Sequence, residues 1–265
     1  MSGADDSLFR SDGAEFHAGE DARGPWDPEA LHGGAPAALI ARAFERCDPR
    51  GGMRIARMSF ELLRPIPFGP LTLHARMVRD GRRVQELAAE LRAGEQQICR
   101  ASALRVAEVP EGLPETPAQG RREEPMPGPE HASPVHFGLD GSDGRSFAAA
   151  MEMRALEDPH ELGPARVWMR LGPALLDGEP ASPLARLVAT ADFGNGISAS
   201  LPFARFLFIN ADLAIHLHRP PRGEWIGLDA RTLLDAGGSG LAECVVHDLD
   251  GPVGRSFQTL VVAPR

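Results

Sequence analysis

Leu31-His32-Gly33-Gly34-Ala35-Pro36-Ala37-Ala38-Leu39-Ile40-Ala41-Arg42-Ala43-Phe44-Glu45-Arg46-Cys47 is the stretch on which the fold turns. Leu39, Ile40, Ala43, Phe44 and Cys47 recur at helical spacing while Arg42, Glu45 and Arg46 fall opposite, which predicts a helix with one face laid on a core. Two glycines and Pro36 near the first turn leave several backbone N–H groups without intrahelical partners, and the missing side chains let a ligand come close. Such a start suits an anion, or an oxygen that becomes one during a reaction. A plain glycine turn ahead of a core helix would give the same pattern, so the surroundings must decide.

Upstream, residues 8–17 read as a first strand, and Gly24-Pro25-Trp26-Asp27-Pro28 as a turn leading into the helix. Downstream, Asp48-Pro49-Arg50-Gly51-Gly52 stops the helix. Four extended segments follow at 53–63, 71–79, 82–92 and 96–106, separated by Pro65-Ile66-Pro67-Phe68-Gly69-Pro70, Asp80-Gly81 and Ala93-Gly94. Those turns are the punctuation of successive antiparallel strands, so one helix beside a meander gives an α+β arrangement.

Prolines at 110, 114, 117, 125, 127, 129 and 134 interrupt the pattern from 109 to 134 and predict a linker. The expected organisation is an N-terminal domain over 1–108, a proline-rich linker over 109–134 and a C-terminal domain over 135–265. The second domain is expected to hold strands at 135–139 and 165–171 and a helix at 183–193. Extended segments at 205–218, 225–233, 240–248 and 254–262 complete it.

The halves match by position. Arg64-Pro65 and Arg100 in the first correspond to Arg219-Pro220 and Arg255 in the second, since 100 − 64 and 255 − 219 both give 36. Between these anchors Leu73-His74-Ala75-Arg76 faces Leu228-Asp229-Ala230-Arg231, and Asp80-Gly81 faces the Asp235-Ala236-Gly237 turn. An ordered set at a constant offset of 155 (219 − 64) indicates an internal duplication.

Composition narrows the function. A formal charge of −9 argues against nucleic acid as the main partner, because phosphate binding needs concentrated positive charge. No stretch has the apolar length of a membrane span, and the acidic Met1-Ser2-Gly3-Ala4-Asp5-Asp6-Ser7 lacks the apolar run of a secretory signal, so a cytoplasmic location is expected. Three cysteines, 47, 99 and 244, are odd in number and far apart, which argues against a disulfide frame and a structural zinc. All 28 basic residues are arginine, which carries no functional weight here.

A glycine-started helix, a four-strand meander and the same unit repeated resembles the double hotdog acyl-CoA thioesterases of the thioesterase II (TesB-like) family. The matching residues are His32-Gly33-Gly34, Asp192-Phe193-Gly194-Asn195-Gly196, Asn210-Ala211-Asp212-Leu213, His218-Arg219-Pro220, Glu224-Trp225-Ile226 and Arg255-Ser256-Phe257-Gln258. The resemblance covers nearly the whole chain and rests on their order. It implies two tandem helix-wrapped antiparallel sheets joined into one continuous sheet. It also implies hydrolysis of an acyl-CoA thioester by water held in an Asp, Thr or Ser, and Gln constellation, with no cofactor. Carried over by position, the aspartate is Asp192, the glutamine Gln258, and the middle residue Asn210, which departs from the family by lacking a hydroxyl. Oxyanion and substrate contacts fall to His32, Gly33 and Gly34. The partner implied is the acyl-CoA substrate, and further assembly into a homo-oligomer is left open.

These residues also have ordinary explanations. Asp192 ends an apolar helix, where the dipole disfavours negative charge, and such a locally broken rule is a sign of function; a helix-ending turn is the alternative. Gln258 lies among apolar strand residues and needs partners if buried, or else sits on a solvent-facing edge. Its first-half counterpart is Ala103 (258 − 155), so one active site is expected. Alternation groups Asn210 with Asp212, His216 and His218 on a polar face unless a bulge turns it. His216 and His218 have no evident third ligand, which favours ordinary strand histidines over a metal site. Arg64, Arg219 and Arg255 are either CoA-phosphate contacts or structural. Asn210 motivates an alternative function, a catalytically weak acyl-CoA binding module; a hotdog dehydratase ranks last for want of a His and acid pair. Attack by Asp192 itself to give an anhydride is a second mechanism beside activation of water.

Overall fold

The computed structural model describes residues 7–25, 27, 29–114, 124–136, 145–158 and 161–265. The expected turn at 24–28, the linker at 109–134 and the strand at 135–139 lie partly outside those residues. The first half runs β1 (Ser7–Asp12), β2 (Glu15–Ala18), α1 (Gly34–Arg46), β3 (Met53–Leu62), β4 (Leu71–Asp80), β5 (Val84–Ala93) and β6 (Gln96–Ala107). The second runs β7 (Ser133–Val135), β8 (Met151–Ala155), β9 (Ala165–Leu171), β10 (Ala174–Leu176), α2 (Pro183–Ala191) and the short α3 (Gly194–Ile197). It continues with β11 (Phe206–Asn210), β12 (Asp212–Leu217), β13 (Trp225–Leu234), β14 (Ser239–Asp248) and β15 (Gly251–Pro264).

Among the described residues 15 strands form one sheet, in the order β10-β1-β2-β4-β5-β6-β3-β12-β15-β14-β13-β9-β8-β7, with β11 also on β15. The halves meet where β3 pairs antiparallel with β12, Ser59 opposite Ala214. The sheet is mixed because β1 pairs in parallel with β10, so a second-half strand closes the first half's edge. The duplication carries through to strand bounds: adding 155 to β5 (84–93) gives 239–248, the bounds of β14. The strand expected at 8–17 is broken at the left-handed Gly13, φ 61°, into the β1–β2 hairpin. Strands β8 and β10 were not anticipated, since both are too short for alternation to stand out.

Alternation puts one face of each long strand in the core. Gln85, Leu87, Ala89 and Leu91 of β5 are buried in this way. Helix α1 lies on this face with Leu39, Ile40 and Phe44 buried as expected, but Ala37, Ala38 and Ala41 are buried too. The reason is a second neighbour. Helix α2 packs against α1, and two contacts fix the pair as antiparallel. At one end a Cβ on Gly34 would stand 2.6 Å from the Ala189 carbonyl oxygen. At the other, Ser182 Oγ donates to Glu45 Oε2 at 2.6 Å while accepting from the Ala185 N–H at 3.0 Å as the α2 N-cap. Small residues let the backbones approach, and the start of α1 is thereby pressed onto the end of α2.

Candidate active site

The strand expected over 205–218 is interrupted. Asn210 of β11 opposes Leu260, whereas Ala214 of β12 opposes Phe257, so three residues face two and one is extra. The bulge is held by the Ala211 N–H donating to the Thr259 carbonyl at 2.9 Å, and by the Thr259 N–H donating to Asp212 Oδ1 at 2.7 Å. A one-residue slip reverses which side chains face the core. Phe208 and Asn210 before the bulge therefore share the inner face with Leu213 and Ile215 after it, and Ile209 is left outside at 54% exposure. Asn210 is turned inward by this bulge, the condition stated for it above.

Gln258 lies on the inner face of β15 with Ser256 and Leu260, all three buried. Asp192 follows α2 directly and is 6% exposed. Asp192 Oδ1 accepts from Asn210 Nδ2 at 3.0 Å and from Gln258 Nε2 at 3.2 Å, and Gln258 Nε2 also lies 3.1 Å from the Asp192 carbonyl oxygen. These donors offset the negative end of α2. The antiparallel packing adds a further offset, because the positive N-terminal end of α1 faces the same carboxylate.

The N-terminal stretch reaches the site as well. His32 Nδ1 lies 3.1 Å from Asp192 Oδ2 and 3.1 Å from the Gly34 nitrogen. Nδ1 serves these partners one at a time: unprotonated it accepts from the Gly34 N–H, and protonated it donates to the carboxylate. The imidazole stacks on Phe193 at 4.6 Å and lies 4.9 Å from Phe147. A Cβ on Gly33 would stand 2.9 Å from Asp192 Oδ2, so the missing side chain leaves space at hydrogen-bonding distance from that oxygen.

Asp192 and the five other residues proposed for the site thus converge, three of them (His32, Asn210 and Gln258) directly on its carboxylate. The contact of His32 with Asp192 was not foreseen, since it depends on helix packing. Asn195 was missed too. It is 5% exposed, its N–H donates to Gln258 Oε1 at 2.9 Å and its Nδ2 to Asn210 Oδ1 at 3.0 Å. The signal available was the pair of flanking glycines, one of which is required: a Cβ on Gly194 would meet Gln258 Oε1 at 2.9 Å and Cys244 Sγ at 2.6 Å.

The corresponding place in the first half is filled differently. Ala103, the counterpart of Gln258, is fully buried. Beyond it the buried Arg105 donates to the carbonyls of Phe44, Cys47 at 2.7 Å and Asp48 at 3.0 Å, capping the end of α1. Arg219 is also engaged, in a two-pronged pair with Asp248 at 2.6 and 2.5 Å. His216 and His218 border an open cavity of about 490 Å³ with Arg255 and Phe257. Among the described residues no group of His, Cys, Asp and Glu is arranged to hold a metal ion.

A helix-wrapped sheet duplicated within one chain, with a carboxylate buried where the two helices meet, is a double hotdog. The sequence matches the family model of the acyl-CoA thioesterase N-terminal domain over residues 22–106 and that of the acyl-CoA thioesterase C-terminal domain over 110–262. The chain belongs to the acyl-CoA thioesterase family of hydrolases. Among solved structures it is similar to a conserved protein of unknown function with a hot dog fold from Alicyclobacillus acidocaldarius (TM-score 0.72, 16% identity, 97% of this chain and 95% of that one). It is also similar to the acyl-CoA thioesterase II TesB2 of Mycobacterium marinum (0.65, 15%, 97% and 94%). A third is the tesB protein of Mycobacterium avium subsp. paratuberculosis (0.63, 17%, 97% and 96%). At such identities these likenesses speak for the fold alone. No curated protein sequence is significantly similar to the chain.

Proposed function

We propose that the chain hydrolyses an acyl-CoA thioester to the free acid and CoA, with Asp192 as general base toward a water held by Asn210 and Gln258. The observation that carries this is the division of labour at Asp192. Oδ1 is taken up by two amide N–H groups, while Oδ2 faces the space left by Gly33. In that space a water gives a proton to Oδ2 as its oxygen attacks the thioester carbon. The carbonyl oxygen gains negative charge, for which the backbone N–H of Gly33 at the start of α1 is the proposed donor; the Gly34 N–H is engaged by His32. Collapse expels the CoA sulfur, which takes the proton back from Asp192, so that thioester and water become acid and thiol. His32, clustered with Phe193 and Phe147, accepts from the Gly34 N–H in this state and so leaves Oδ2 to the water.

Asn210 supports the second reading, an acyl-CoA binding module with weak turnover, because an amide replaces the hydroxyl expected there. Acyl-CoA chemistry and three free cysteines suit a cytoplasmic protein. Homo-oligomerisation fits the exposed pair of Ile209 and Val261, directly opposed on the outer face, and is checked by light scattering.

Thiol release from a panel of short, long and aromatic acyl-CoAs, by wild type and Asp192→Asn, tests the function. The expected outcome is clear wild-type turnover and a loss of about 10²-fold or more in the variant, with its circular dichroism unchanged. Full activity in Asp192→Asn would refute the assignment. Binding of acyl-CoA without turnover by wild type would establish the binding module instead. Under single turnover in ¹⁸O-labelled water, label on Asp192 would show an anhydride opened at the Asp192 carboxyl carbon, whereas direct attack by water places the label in the product acid.

A further inference from the structure

We infer that Asn195 is a positioning residue for this reaction: it determines which way round the carboxamides of Asn210 and Gln258 face Asp192. The inference rests on the role proposed for Asp192 above.

A carboxamide has a donor arm and an acceptor arm of nearly the same shape, and nothing intrinsic selects between its two orientations. Here the selection propagates from two groups without that ambiguity. The Asp192 carboxylate only accepts, and the Asn195 backbone N–H only donates. Gln258 lies between them, with Oε1 2.9 Å from the Asn195 nitrogen and Nε2 3.2 Å from Asp192 Oδ1, so it can face only one way. Asn210 is the second bridge. Its Nδ2 is 3.0 Å from Asp192 Oδ1 and its Oδ1 is 3.0 Å from Asn195 Nδ2. Asn195 thus takes the carbonyl oxygens of both amides, one with its main chain and one with its side chain, and both NH₂ groups are left for the carboxylate.

Rotating either amide would point a carbonyl oxygen at Asp192, replacing an attraction by a repulsion and freeing Oδ1 to compete with Oδ2 for the water's proton. The threonine or serine of the family pattern has no such arms to orient. Asparagine at 210 brings an oxygen that has to be held, and Asn195 Nδ2 donates to it.

A second observation sets Asn195 apart. Its own Oδ1 is buried without a hydrogen-bond partner. A buried unsatisfied acceptor lowers stability, so a residue serving packing alone would do better as a hydrocarbon of the same shape. The other arm of the same amide, Nδ2, is the one that holds Asn210.

The test uses Asn195→Leu, close in shape but without the amide, and Asn195→Ala in case leucine does not fit. Each is made alone and with Asn210→Ala, beside Asp192→Asn. Turnover and thermal midpoint are measured together, the weakest variants at high enzyme concentration. The expected result for Asn195→Leu is a kcat lower by about 10²-fold with KM little changed, and a midpoint equal to or above wild type. Added to Asn210→Ala, the same substitution should cost almost nothing more, because its effect passes through Asn210. A midpoint that falls in step with kcat would mark Asn195 as structural and overturn the inference, as would an undiminished penalty in the Asn210→Ala background. Full activity in Asn195→Leu with Asp192→Asn inactive would overturn this inference alone. Activity in Asp192→Asn would remove the catalytic assignment on which it stands.

Discussion

At the scale of single residues, the site is organised around what is missing from Gly33. Its backbone, at φ −58° and ψ −30°, suits any residue, so glycine is not there for a turn. It is there because a Cβ would stand 2.9 Å from Asp192 Oδ2. Gly33→Ala is therefore expected to push the Asp192 carboxylate aside and to lose activity by about 10-fold or more, as the methyl displaces water from the proposed base. Parallel measurement of the thermal midpoint and thiol release checks this. Asp192 and Gln258 were singled out through the family resemblance, and each also breaks a local rule, a charge at the wrong helix end and an amide in an apolar strand. His32 and Asn195 break none. Their roles arise from contacts across the chain, His32 with a residue 160 positions away (192 − 32), which no local pattern encodes.

At the scale of elements, the meander and both helices were readable from periodicity, and most bounds fell within a residue or two. What periodicity could not supply was the extra residue at 211–212. A run of alternating residues from 205 to 218 looks like one strand whichever side faces inward, and only the pairing with β15 shows where the phase changes. Deleting Ala211 would remove the extra residue and return 206–210 to the phase of β12. Asn210, still opposite Leu260, would then keep its inward face in an unbroken alternation with Leu213 and Ile215. The expected outcome is a folded protein that retains thiol release, measured beside Asn210→Ala. Turnover as low as that of Asn210→Ala would show that the site needs the bulge itself and not only the inward phase it gives.

For the whole molecule, the most distinctive charges are those of His247, Asp248 and Arg219, which make no contact with Asp192. His247 is buried, and burial lowers its pKa to about 4 from 6.5, with Arg219 opposing protonation and Asp248 favouring it. Burial alone would raise the Asp248 carboxyl, but the Arg219 guanidinium and the N–H groups of Asp250 and Arg222 outweigh it and hold the pKa below the usual carboxylate value. Both groups therefore bind protons less readily folded than unfolded, so stability is complete above their unfolded pKa values and is lost as pH falls. For His247 the loss runs from pH 6.5 to about 4 and amounts to about 3 kcal/mol at most. Urea midpoints across that range should decline in wild type and flatten in His247→Gln; an equal decline in both would place the acid sensitivity elsewhere.

The Arg105 cap also bears on how such a chain can change over time. Two separate copies of one hotdog chain, paired by a twofold axis, must carry the same residues in both of their equivalent positions, so a substitution on one side is always made on the other. Joined in tandem, the positions become independent. Here one has a carboxylate at the end of its helix and the other an arginine holding that end shut. Symmetry has been traded for specialisation: substitution of Asp192 is expected to alter the proposed chemistry, whereas substitution of Arg105, whose counterpart is Leu260 (105 + 155), should alter only rigidity at the end of α1.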